Sequence, residues 1–71
     1  MTTFNEGDHV KIKKLDVTGQ IIDILKHDDG VTTHLVESDA EGYRDGPEVL
    51  VPGIWPIYEC FTEDLELISE T

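Results

Sequence analysis

One cysteine, five basic side chains and no apolar run long enough to cross a bilayer mark this 71-residue chain as much by what it lacks as by what it contains. Cys60 has no partner for an internal disulfide. Packing alone must then stabilise the domain, and a reducing, cytoplasmic compartment is the expectation. The longest nearly uncharged stretch, Val49 to Tyr58, is broken by two prolines and a glycine. It falls well short of the roughly 20 apolar residues of a spanning helix. No apolar stretch follows Met1, so no signal peptide is expected. Helical periodicity is sustained nowhere, no internal repeat recurs, and the glycine-rich patterns that cradle phosphates are missing.

Charge is the strongest feature present. Sixteen acids against five bases give a net charge of −11. The imbalance is concentrated: residues 1–30 carry six acids and four bases, residues 31–71 ten acids and one base, Arg44. Such a surface repels phosphate backbones and attracts cations or basic partners, and it keeps small domains apart in solution. A monomer is expected. The crowded carboxylates also predict that added salt, and mild acid, stabilise the domain.

The remaining pattern is that of short strands. Val10 and Ile12 alternate with His9, Lys11 and Lys13, the period of two of a strand with one buried face. Asp16 and Gly19 supply a turn, and Gln20 to Leu25 a second, β-branched strand. The adjacent Ile21 and Ile22 break alternation there and predict a bulge or a bend. Gly30 closes a hairpin loop, Val31 to Ser38 forms the third strand, and Asp39 to Glu48 a long acidic loop. Val49 to Val51 begins a fourth strand, which Pro52-Gly53 interrupts and Ile54 to Phe61 resumes. Thr62 to Asp64 is a single helical turn before a last strand, Leu65 to Ile68. Five short strands in one domain, residues 1–71, predict an all-β, strongly bent barrel with a short 3-10 turn before its last strand. Val10, Ile12, Ile22, Ile24, Val36 and Val51 are its expected core, with Phe61 and part of Trp55 as plugs.

The stretches Gly7 to Lys14, Val17 to Leu25, His34 to Ser38 and Glu63 to Ile68 together resemble the SH3-like barrels of bacterial proteins, the group that includes KOW and Tudor-type modules. The similar features are the Gly7-Asp8 lead into strand one, the G-x-I-I-x-I second strand and the closing EDLELI. The resemblance covers most of the chain except Asp39 to Pro56. It implies a five-stranded barrel that serves as a binding module for nucleic acids, peptides or neighbouring domains. KOW modules usually carry basic surfaces, and this chain lacks one.

Chemistry-bearing residues are few. His9, His27, His34 and Cys60 show no C-x-x-C or H-x3–5-H spacing, so no metal site is expected, and His9 and His34 are read as outward-facing. The acidic loop fails the calcium-loop pattern, because Tyr43 and Arg44 fall where a ligand and a glycine belong. No nucleophile-and-base arrangement frames Cys60, which is expected in or beside the core. The reading is therefore a non-enzyme with no cofactor. Lys11, Lys13 and Lys14 are expected to offset acids such as Asp23 or Glu66 across the sheet.

Tyr43, Trp55 and Tyr58 lie in or beside the irregular segment and are the candidate binding residues. Aromatics on a loop rim edged by acids suit a basic peptide or a methylated lysine; a small core beneath a long loop is the structural alternative. A small acidic protein-binding module follows, its partner basic or apolar, with neither nucleic acid nor membrane as a direct target. The alternative is a nucleic-acid-related module, either a degenerate KOW-type binder or an acidic mimic.

Overall fold

The computed structural model describes residues 3–42, 44–47 and 49–69. Its strands are β1 (His9–Ile12), β2 (Val17–Lys26), β3 (Thr32–Ser38), β4 (Val49–Val51), β5 (Ile57–Phe61) and β6 (Leu65–Ser69), with a 3-10 turn at Thr62–Asp64. They form one antiparallel sheet in the order β4-β5-β3-β2-β1-β6. The all-β class and the 3-10 turn agree with the sequence reading. Two features of it need correction. Among the described residues there are six strands rather than five, and the sheet they form is not closed by hydrogen bonds: β4 and β6 stand at its two edges.

The extra strand arises between Pro52 and Pro56. Two residues that cannot donate to a ladder, with Gly53 between them, do not merely interrupt a strand here. They reverse the chain, so that Val49 pairs with Tyr58 and Val51 with Ile57. Val51 consequently lies exposed on an edge instead of in the core.

The β1–β2 connection is tighter than expected. Asp16 takes a positive φ of 56°, a conformation that aspartate tolerates better than most residues, and its N–H donates to the Ile12 carbonyl at 2.9 Å. Gly19, read as part of this turn, lies within β2 opposite Ser38. Gly30, with φ 86°, turns the β2–β3 hairpin as its sequence predicts.

A bulge between Ile21 and Asp23 governs the core. Before it, the odd-numbered residues of β2 face inward; after it, the even-numbered ones do. Ile21 is therefore buried and Ile24 packs against the core, while Ile22 points to solvent. The irregularity was legible in the adjacent isoleucines, but the expected burial of Ile22 is overturned. The core consists of Phe4, Val10, Ile12, Ile21, Val36, Tyr58, Cys60 and Leu65. Alternation along β5 sends Tyr58 and Cys60 inward and Phe61 outward, so Phe4 and Tyr58 fill the interior, not Phe61 and Trp55.

Phe4 is delivered by a local device. Asp8, itself buried, accepts a hydrogen bond from the Asn5 N–H at 2.8 Å, and its own N–H donates to the Asn5 carbonyl at 3.1 Å. Gly7, with φ 91°, completes this turn and donates to the Ile21 carbonyl at 2.8 Å.

Candidate functional site

The residues read as a binding rim separate in the structure. Tyr43 lies outside the described residues. Trp55 is exposed, but Tyr58 is only 1% accessible and belongs to the core, so the two do not form a displayed pair. In place of Tyr58, the structure surrounds Trp55 with aliphatic surface. Leu50 (50%), Val51 (47%), Ile54 (52%) and Trp55 (49%) are all about half exposed within six residues of chain. Scattered apolar side chains on a surface need no explanation, but a run along an edge strand of a strongly charged small domain does.

Backbone hydrogen bonds hold this run in place. Ser38 donates to the Pro56 carbonyl at 3.0 Å, and Gly42 to the Ile54 carbonyl at 3.0 Å. Arg44 and Gly53 exchange bonds at 3.1 and 3.2 Å, an isolated bridge. Pro56 is buried beneath this clamp. The acidic loop and the reversal are thus fastened to each other, with Ile54 and Trp55 presented outward. On its other side the loop is anchored through Asp39, which accepts from Thr18 Oγ1 at 2.8 Å and pairs with His9 Nε2. The Thr18 hydroxyl, then the His9 ring, hold the Asp39 carboxyl below its ordinary value, against a smaller opposing effect of burial.

β4 has β5 on one side and, among the described residues, no strand on the other. Its free edge is a template for an added strand, and the half-exposed Leu50 and Val51 lie on it. Sequence reasoning assigned Val51 to the core and passed over Leu50 and Ile54. The signal that marked them was the spacing of Pro52, Gly53 and Pro56, which indicates a reversal.

The other candidate residues lie elsewhere. His27 Nε2 donates to Thr33 Oγ1 at 2.9 Å, and that hydroxyl donates to Glu59 Oε2 at 2.8 Å. Because the threonine proton goes to the carboxylate, His27 must carry its proton on Nε2. Phe61 and Val31 flank this chain of bonds on the outer face. His34 is buried, 3% accessible, contrary to the outward placement read from its strand. Lys11 pairs with Asp16 at 2.9 Å and stands opposite Glu66 in the β1–β6 register; Lys14 lies 3.9 Å from Asp64. The Asp16 hydrogen bond and charge, with Glu66 a smaller contributor, raise the Lys11 ammonium above its ordinary value. Two of the five cations therefore already face carboxylates.

Among the described residues, no three or more His, Cys, Asp or Glu side chains converge as metal ligands. No helix among them is long and apolar enough to cross a membrane. Fold and surface together define a small all-β domain with an open, apolar edge strand inside an acidic chain. No protein-family model, curated protein or solved structure matches the chain.

Proposed function

We propose that this protein is a small, non-catalytic, SH3-like barrel domain that binds a protein partner along the β4 edge, the partner contributing an extended segment that is basic and apolar by turns. One observation carries the reading: half-exposed Leu50 and Val51 on the β4 edge, continued by half-exposed Ile54 and Trp55 in the reversal that follows it, in a chain of net charge −11. An added strand gains main-chain hydrogen bonds from the edge and apolar contact from these side chains. Lysines or arginines on its other face meet the acids of the loop before β4, Asp39, Glu41 and Asp45. The same charge disfavours nucleic acid, since phosphate contacts would have to overcome it.

The test is a chemical-shift titration with a peptide of alternating lysine and valine, beside one of alternating glutamate and valine and a random DNA duplex. The reading expects saturable shifts at residues 49–55 with the lysine peptide alone, weakening as salt is added. Equal response to both peptides, or saturable DNA binding at Lys11 to Lys14, would overturn it.

A further inference from the structure

A cleft of ≈670 Å³ shares no residue with the β4 edge. At its base stands His34, whose ring is held on two sides. Phe4 meets it edge-on, with ring centroids 5.6 Å apart and planes at 87°. Its Nδ1 lies 3.2 Å from the Cys60 carbonyl oxygen. A carbonyl only accepts, so Nδ1 carries the proton, and in the neutral ring Nε2 presents a bare lone pair. That nitrogen has no hydrogen-bond partner among the described residues. The Tyr58 hydroxyl is the buried side-chain polar atom without a partner among the described residues. The unpaired His34 Nε2 is therefore within reach of solvent, and the cleft is where His34 meets it.

The lining is unusual for this chain. None of the described residues around the cleft is acidic, although sixteen of 71 residues are Asp or Glu. Phe4 and Ile24 form apolar walls; Thr3, Thr32 and Thr62 also line the cleft, and Lys26 is the one permanent charge among its described lining residues. A polar acceptor at the base, apolar walls and a threonine-rich lining form the usual arrangement of a small-molecule pocket, and the volume lies within the ordinary range of roughly 300–1,000 Å³.

We infer that this cleft binds a small aromatic molecule whose buried end carries a hydrogen-bond donor, of the phenol or azole class, the donor meeting His34 Nε2 and the ring lying against Phe4 and Ile24. The acceptor at the base excludes occupants that offer only acceptors there. The walls favour a flat apolar body, and Lys26 favours an acceptor or carboxylate on the outer end. A ligand that takes Nε2 out of contact with solvent must itself restore the bond.

The test compares p-cresol with 4-methylanisole on the unaltered protein, followed by the side-chain nitrogen resonances of His34. The two probes share a ring and differ in whether the oxygen carries a proton. p-Cresol is expected to bind in the millimolar range, to shift Nε2 saturably, and to bind about tenfold more tightly than 4-methylanisole. Contacts from its ring to Phe4 and Ile24 are expected in intermolecular NOE spectra. 4-Hydroxyphenylacetate should bind more tightly than p-cresol, and Lys26→Gln should abolish that gain. Equal affinity for p-cresol and 4-methylanisole, no saturable shift at His34, or shifts centred on another cleft would each overturn the inference.

Discussion

Gly19 of β2 lies so close to Glu37 of β3 that a β-carbon at position 19 would stand 2.3 Å from the Glu37 carbonyl oxygen and 2.8 Å from Val36 Cγ1. The nearest obstacle is backbone and cannot swing aside. Gly19→Ala must therefore push β2 from β3 or bend both, at a cost of about 3 kcal/mol. Urea unfolding of this variant should show the loss as a lower midpoint with unchanged slope. A midpoint equal to that of the parent would mean that the two strands do not approach in this way.

The bulge in β2 makes neighbouring isoleucines unequal. Ile21→Ala removes buried side chain and should cost about 2–5 kcal/mol, a large part of the roughly 4–10 kcal/mol available to a domain of this size. Ile22→Ala should change stability by less than about 1 kcal/mol. Thermal melts of the pair decide the register, since the opposite ranking would place Ile22 inside.

Asp39 ties the acidic loop to both β1 and β2, and its pH dependence has a definite sign. Its folded-state value is below the ordinary 3.8, so in this range the unfolded chain binds more protons than the folded one. The stabilisation is fully present above about pH 4 and is lost as pH falls through the lower, folded value. Asp39→Asn, which keeps the shape without the charge, should flatten this acid-side decline in denaturant midpoints measured from pH 5 to pH 2. An unchanged decline would assign it to other carboxylates.

Tyr58 carries a buried hydroxyl with no hydrogen-bond partner among the described residues. Such an atom is destabilising by its lost hydration, whereas its ring contributes to the core. Tyr58→Phe should therefore be neutral or stabilising by up to about 1 kcal/mol, and Tyr58→Ala strongly destabilising. Calorimetry of the two variants separates ring from hydroxyl; a marked loss with phenylalanine would reveal a partner for the hydroxyl in solution.

Burial, with Asp64 adding to it, pushes the Cys60 thiol up to about 11. Between its ordinary 9.0 and that value the folded chain keeps a proton that the unfolded chain releases, so stability falls as pH rises through this window. Alkylation at pH 8 should be slow in the native protein and fast in urea. Rapid native labelling would show that the core opens readily at β5.

The sequence by itself determined the class of the fold. Alternation in Val10 and Ile12, the turn chemistry around Asp16 and Gly30, and the lack of helical period admit little besides short antiparallel strands. These are local properties, set by sterics within a few residues. The same holds for the 3-10 turn at Thr62–Asp64, where the Asp64 carboxylate takes the Phe61 N–H at 3.3 Å. Tertiary structure decided which face of each strand turns inward, because a period of two has no preferred sign and a single bulge reverses it. Ile21 and Ile22 are indistinguishable in the sequence, and so are the burial of Tyr58 and the exposure of Phe61. Only pairing across the sheet resolved them, and it also turned an interrupted fourth strand into an edge hairpin. His34 differs: it shares the inward parity of Val36, so alternation alone pointed to its burial, but its cleft is assembled by Phe4 and Cys60, 30 residues before it and 26 after it.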